Sequence, residues 1–278
     1  MDDFILFINK LNLHNEVKLI IQDNGSDVPP NIEQFENVEC HYLPQNIGAD
    51  ANFLKLFEMA NSKYTWLFGD DDRIEIHSFA KIIRVLKQSE PDILFIPKQE
   101  FSRDVRLSGG KLLKRVLVHS TFISSHVIST NLINLNDVDP RIKNLNYWGL
   151  FLNAYIKARD ARLVASTCLI MRSDASGGYD FLKTWINEYN YLVNRCFLPK
   201  LTKLYLKIDR SISLVLPFML TLRAKKSRST FKLNYNGIDE QYLGIFLYRY
   251  VPIIFLKCID YLRKFMKVVF YWIIRKIK

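Results

Sequence analysis

The four cysteines of this 278-residue chain show no paired spacing. Cys40, Cys168, Cys196 and Cys258 are scattered, form no C-x-x-C pair, and have no histidine at ligand spacing. That pattern argues against a zinc site or a disulfide framework and leads us to expect a reducing cytosol. Long apolar runs are missing too. Ser211 to Leu222, uncharged for twelve residues, is fenced by Arg210 and Arg223. A spanning helix needs about 20 residues, so the chain is not expected to cross a membrane. Met1-Asp2-Asp3-Phe4 lacks the basic start and apolar run of a signal peptide. Acidic residues are scarce only in the last third. From Lys200 onward there are 17 Lys and Arg against 4 Asp and Glu, whereas residues 1–199 hold 22 against 24. The overall +11 is therefore a near-neutral body, residues 1–199, joined to a strongly basic tail, residues 200–278.

The body alternates two hydrophobic periods. Phe4, Ile5, Phe7, Ile8 and Leu11 recur at helical spacing over residues 2–13. Val17–Ile21 and Val38–Leu43 read as strands, and each feeds a polar turn: Asp23-Asn24-Gly25-Ser26 and Pro44-Gln45-Asn46-Ile47-Gly48. Residues 52–60 read as a helix capped near Asp50, Tyr64–Phe68 as a strand, Ser78–Gln88 as a helix, and Asp92–Ile96 as a strand. This alternation predicts an α/β layer with a mostly parallel sheet, whose ligands bind beyond the carboxyl ends of the strands.

The Tyr64–Phe68 strand exits through Gly69 into Asp70-Asp71-Asp72. Three adjacent carboxylates repel one another, and a cation relieves that repulsion. Asp70 and Asp72 can turn oxygens toward one point, which suits Mg²⁺ or Mn²⁺. The same residues read equally well as a solvated acidic loop capping the next helix.

Together, Asp23-Asn24-Gly25-Ser26-Asp27, the Gln45-Asn46-Ile47-Gly48-Ala49-Asp50-Ala51-Asn52 turn and Trp66-Leu67-Phe68-Gly69-Asp70-Asp71-Asp72 resemble the family 2 glycosyltransferases of the GT-A fold. The likeness is greatest to bacterial surface-polysaccharide members of the abequosyltransferase type, and it covers about Val17 to Pro97. It implies that Asp23, Asn24, Ser26, Asn46, Gly48, Asp70 and Asp71 bind the nucleotide sugar. It also implies that Asp72, with Asp70, ligates Mg²⁺ or Mn²⁺ on the diphosphate. The family opens with a strand of the type VSIIIPTYN, and this chain begins at the helix that should follow it. An amino-terminal truncation, through a late start or a degenerate gene, is therefore expected. Inverting members carry an acidic base at the head of an acceptor-side helix, yet Asn144–Gly149 holds no carboxylate. Asp139 and Asp137, slightly upstream, are the candidates for the catalytic base, and both also read as turn-forming residues before Pro140.

In the tail, Lys257, Asp260, Arg263, Lys264 and Lys267 fall on one helical face, with Ile254, Leu262, Phe265, Met266 and Val269 over much of the rest. A basic, aromatic-rich amphipathic helix suits an anionic membrane surface or a polyprenyl-diphosphate-linked saccharide acceptor. Arg223-Ala224-Lys225-Lys226-Ser227-Arg228 is basic enough for nucleic acid, but no recognition motif accompanies it, and no nucleic-acid partner is expected. The resulting expectation is a metal-dependent, inverting glycosyltransferase peripheral to the cytoplasmic face of a bacterial inner membrane. It would use a nucleotide-diphosphate sugar and build O-antigen or capsule. The rival is a non-catalytic remnant that binds nucleotide weakly or docks on membranes and partners.

Overall fold

The computed structural model describes residues 16–28, 38–69, 72–97, 103–165, 169–171, 183–215, 261, 264–266 and 268–269. In chain order its principal elements are β1 (Leu19–Asp23), β2 (Val38–Tyr42), α1 (Ala49–Met59), β3 (Tyr64–Trp66), β4 (Asp72–Ile74) and α2 (Ile76–Ser89). These are followed by β5 (Ile93–Phe95), β6 (Val105–Leu107), α3 (Gly109–Val116), β7 (His126–Ser129), α4 (Asn146–Lys157), β8 (Ala161–Leu163) and β9 (Leu169–Met171). The last two helices are α5 (Tyr189–Arg195) and α6 (Lys200–Arg210). The strands and helices expected between Val17 and Ile96 are present within a few residues of their expected ends. The expected helix over residues 2–13 lies outside the described residues.

The chain divides into two compact units, residues 1–109 with 122–176, and residues 110–121 with 177–278. The first unit holds a five-stranded sheet of order β3-β7-β5-β8-β6 and two two-stranded sheets, β1-β2 and β4-β9. Pairing is more mixed than a mostly parallel sheet. Strands β1–β2 and β5–β8 are parallel, whereas β3–β7, β5–β7, β6–β8 and β4–β9 are antiparallel. The difference arises after β5, where no apolar alternation had been read. There β6, β7 and β9 join their neighbours in the opposite sense.

Period-two alternation along β5 gives the sheet its two faces. Leu94 and Ile96 pack with Phe79, Ile82 and Leu86 of α2, joined by Ile74, Val127 and Val164. Phe95 meets the His126 ring edge-on at 5.2 Å, and His126 in turn lies 4.6 Å from Phe151 of α4. Helices α1 and α4 are joined by edge-to-face rings, Phe57 on Phe151 and Phe53 on Tyr147. Truncating a ring such as Phe151 in this packing would cost about 3–5 kcal/mol. Gly109 lies where the chain leaves this unit. A Cβ there would sit 2.2 Å from the Tyr155 carbonyl oxygen, so only glycine permits that approach.

The second unit has a polar centre. Asp209, fully buried, accepts the Val118 N–H at 2.9 Å and the Ser213 hydroxyl at 2.8 Å. Arg210 donates to the Trp185 carbonyl at 2.6 Å and lies 5.1 Å from the Tyr189 ring centroid. Buried charges persist only with such partners. These bonds, with Tyr189 Oη donating to the Leu206 carbonyl, tie Val118, Trp185 and Tyr189 to helix α6. Among the described residues no helix is long and apolar enough to cross a membrane.

Candidate functional site

The site begins where β1 and β2 end. Asp23 Oδ2 accepts the Ser26 N–H at 3.1 Å, closing an Asx turn. Gly25 follows with φ +74°, and a Cβ there would lie 2.5 Å from the carbonyl carbon of Gln45. The two loops therefore touch backbone to backbone. Asn24 and Asn46 complete the join. Asn24 Nδ2 donates to Asn46 Oδ1 at 3.1 Å, Asn24 Oδ1 accepts the Ile47 N–H at 3.0 Å, and Asn46 Oδ1 accepts the Gly48 N–H at 2.8 Å. Gly48, with φ +88°, then opens helix α1. The structure thus brings Asp23, Asn24, Ser26, Asn46 and Gly48 together on one edge.

Asp50 is not a cap of its own helix. Its carboxylate, 5% exposed, takes the Asn146 and Tyr147 N–H groups at 3.1 Å each, at the start of α4. It satisfies orphan donors and meets the positive end of the α4 dipole. Asn52 stands two residues further on. It donates to the Gln22 carbonyl at 3.4 Å, while its Oδ1 is buried without a hydrogen-bond partner.

The acidic loop is fastened from behind. Asp72 is 4% exposed and opens β4, and its N–H returns to the Gly69 carbonyl at 3.1 Å. Ser124 Oγ donates to Asp72 Oδ2 and accepts the Gly69 N–H at 2.9 Å. The Ser124 carbonyl takes the Trp66 indole N–H at 2.9 Å. One serine therefore holds the strand before the acidic run, the glycine and the last carboxylate. Asp70 and Asp71 lie outside the described residues, and among the described residues no cluster of three His, Cys, Asp or Glu is positioned to hold a metal. Asp72 fits a hard divalent ion in donor chemistry, as a buried carboxylate on the wall of the cleft.

That cleft, about 650 Å³, is lined by β1, by residues 62–69, and by the inner face of α1. Asp23, Asn24, Ser26, Asn52, Gly69 and Asp72 contribute polar groups to its wall, and Leu19, Ile21, Phe57 and Trp66 contribute apolar ones. Asn46 and Gly48 belong to the adjoining turn.

The two carboxylates expected as base lie elsewhere in this unit. Asp139 is 3% exposed, with Arg141 donating to both of its oxygens at 2.9 and 2.8 Å and the Arg141 N–H adding a third bond at 3.0 Å. Asp137 keeps a side chain 29% exposed, with Asn153 Nδ2 at 3.0 Å and Lys157 Nζ at 3.6 Å. Neither lines the cleft. Ser124, Ser125 and His126 are fully or almost fully buried, so the hydroxyl-rich stretch around them is internal scaffold. Burial lowers the His126 pKa to about 3, and its Nδ1 contacts the Phe122 carbonyl at 3.0 Å. Sequence reasoning missed the roles of Ser124, Asp50 and Asn52. Of these only Asn52 carried a signal, as the last residue of the Asn-x-Gly-x-x-x-Asn turn.

A parallel β1–β2 pair ending in polar turns, an acidic run behind a short strand, and helices on both sheet faces define a nucleotide-sugar transferase fold. Residues 7–126 match the family model described as Glycosyl transferase family 2. Over 60 residues the chain is 37% identical to abequosyltransferase RfbV of Salmonella typhimurium strain LT2, a stretch covering 22% of this chain and 18% of that protein. S. aureus TarS 1–349 in complex with UDP superposes with a TM-score of 0.57 at 16% identity, covering 82% of this chain and 71% of that one. The same fragment in complex with UDP-GlcNAc gives 0.54 at 14% identity, over 72% and 65%. At such identities the structural likeness carries the fold. Residues 7–126 are thus similar to family 2 glycosyltransferases, the fold is the GT-A fold, and the chain spans 18% of the length of the curated relative it matches.

Proposed function

We propose that this chain transfers a sugar from a nucleotide-diphosphate donor to a lipid-linked saccharide during bacterial surface-polysaccharide assembly. The observation that carries this reading is the cleft wall, to which Asp23, Asn24, Ser26, Gly69 and Asp72 contribute together with Asn52, whose buried Oδ1 has no hydrogen-bond partner. Asp23 and Asn24, held by the Asn46–Gly48 turn, would take the nucleoside, and Asn52 Oδ1 would accept from a base N–H or a ribose hydroxyl. Asp70, Asp71 and Asp72 would face the diphosphate, with Asp72 and Asp70 holding Mg²⁺ or Mn²⁺. Such an ion, when bound, neutralises charge on the departing diphosphate. The named relatives support the donor class: one is an abequosyltransferase, and the other is seen with UDP and UDP-GlcNAc.

The reaction would be an inverting displacement, in which a carboxylate removes the proton of the acceptor hydroxyl. Of the two candidates, Asp137 retains solvent access, whereas Asp139 is committed to Arg141. The basic tail, residues 200–278, would hold the enzyme on an anionic membrane surface at the cytoplasmic face of the inner membrane, beside a polyprenyl-diphosphate-linked acceptor. Its described part includes Tyr261, Phe265 and Met266, all exposed. A second reading, a remnant that binds nucleotide without transferring sugar, is favoured by one observation. The head of α4 holds no carboxylate of its own, and its first N–H groups are taken by Asp50.

Calorimetric titration with UDP, GDP, CDP and dTDP, with and without Mn²⁺ and beside Asp72→Asn, tests the donor site. One nucleotide should bind, with a requirement for both the ion and Asp72. A folded sample that binds none would overturn the transferase reading. Binding without sugar transfer to a lipid-linked acceptor would favour the remnant.

A further inference from the structure

The turn between α5 and α6 carries an apolar ridge that the cleft does not use. Leu198 N–H donates to the Cys196 carbonyl at 2.8 Å, closing a three-residue turn with Phe197 at its tip. Cys196 and Leu198 are buried on either side, whereas Phe197 is 95% exposed. A turn anchored by both neighbours therefore holds a large aromatic ring out in solvent. Helix α6 continues the feature. Thr202, Leu206, Asp209 and Arg210 are its buried residues. Leu201 and Leu204, three apart and so on one face, are 49% and 51% exposed. Lys200, Lys203 and Lys207 follow the neighbouring stripe of the same helix. Lys203 and Lys207 both donate to Asn194, a neutral partner, at 2.6 Å. Among the described residues no carboxylate pairs with any of the three lysines, so their charges stay uncompensated. Residues 189–208 hold Arg195 and these lysines and no acidic residue, and the bounding Glu188 and Asp209 are buried.

We infer, resting on the reading that the chain works at a membrane, that Phe197, Leu201 and Leu204 enter the headgroup layer of an anionic lipid surface. Lys200, Lys203 and Lys207 would then lie against its phosphates. The contact is thus a folded corner that begins before the basic tail, and it is separate from the tail's own amphipathic stretch. Apolar side chains beside a basic stripe match both layers of such a surface, the acyl boundary and the negative headgroups. Lysine stems can lie along the apolar layer while their ammonium groups stay in water. Two other occupants match the ridge less well. A second copy would set like charges against each other. A stable protein interface engages about 20–30 residues a side, against three apolar side chains here.

The test measures partition of the full chain onto phosphatidylcholine vesicles with and without phosphatidylglycerol. Partition onto the anionic vesicles should fall by about tenfold or more in the combined Phe197→Ser, Leu201→Ser, Leu204→Ser variant. Its melting temperature should be unaltered, because all three side chains already face water. In a Phe197→Trp variant, lipid with brominated acyl chains should quench emission more strongly than in the parent chain. The comparison is Arg263→Glu with Lys264→Glu and Lys267→Glu, which alters the tail alone. Full partition by the serine variant, with loss only in the tail variant, would overturn the ridge and leave the tail's membrane contact standing. Failure of the unaltered chain to bind anionic vesicles would overturn both. A dimer that the serine variant converts to monomers in sedimentation would overturn the lipid assignment in favour of a second copy.

Discussion

Asn24 and Asn46 are 22 residues apart in sequence and bond carboxamide to carboxamide at 3.1 Å. Asn24 also accepts the Ile47 N–H, and Asn46 the Gly48 N–H, so one asymmetric pair fixes the shape of both loops at the strand ends. Asn24→Ala removes two of these bonds at an exposed place. Stability should fall by less than about 1 kcal/mol. Nucleotide affinity, measured calorimetrically, should fall by about tenfold as the loops separate. An unchanged affinity would show that the pair does not shape the donor site.

Asp50 is the cap of a helix ninety-six residues away in sequence. Replacing it with alanine strips acceptors from two buried N–H groups at the start of α4, which should cost about 1–3 kcal/mol. Asp50→Asn keeps an acceptor and should lose less. Urea denaturation of the two variants checks both the size and the order of the effects.

Ser124→Ala leaves the Gly69 N–H without its hydroxyl partner and removes the donor to the Asp72 carboxylate. A loss of about 1–3 kcal/mol is expected from the buried groups. Mn²⁺ affinity should weaken as well, because the acidic loop loses its fastening. Ser124→Thr, which keeps the hydroxyl, should restore binding if its extra methyl group is accommodated. Chemical denaturation and Mn²⁺ titration separate the two effects.

His126 makes stability fall with acid. Burial lowers its pKa to about 3 in the folded chain, against 6.5 for a free imidazole. Between those values the unfolded chain binds a proton that the folded chain does not, so stability rises with pH across that window and this contribution levels off above it. The slope from this one residue approaches about 1.4 kcal/mol per pH unit. His126→Phe should flatten the dependence between pH 6.5 and 4 in denaturation series. An identical slope would place its origin elsewhere.

Asp137 and Asp139 should separate in their effects. Asp139→Asn weakens the pairing of a buried carboxylate with the exposed Arg141 and should lower stability by about 1–3 kcal/mol. Asp137→Asn should leave the fold and nucleotide binding intact while abolishing sugar transfer. Thermal denaturation, calorimetry and a transfer assay read the three quantities. Full transfer by Asp137→Asn would exclude it as the base.

Legibility followed the range of the interactions. Apart from β4, strand and helix positions from Val17 to Ile96 could be read because they rest on periodicity and local turn chemistry. The polar turns at Asp23 and at Asn46 to Gly48 could be read for the same reason. Their bonding to each other, Asn24 to Asn46 and Gly25 against Gln45, could not, because it depends on which strand ends lie side by side. Mixed pairing escaped in the same way, since strands β6, β7 and β9 have only three or four residues and little pattern of their own.

By itself the sequence determined the α/β class, the three motifs of a nucleotide-sugar transferase, and the contrast between a neutral body and a basic tail. These are properties of residue order and composition. Tertiary structure decided what the side chains in those motifs do. Asp50 caps a distant helix, Ser124 holds Asp72, Asn52 keeps a buried oxygen without a hydrogen-bond partner, and Asp139 is held by Arg141. It also decided that β1, β3 and α1 line one cleft. The physical reason is that hydrogen bonds and burial between residues far apart in sequence exist only once the backbone has brought them together.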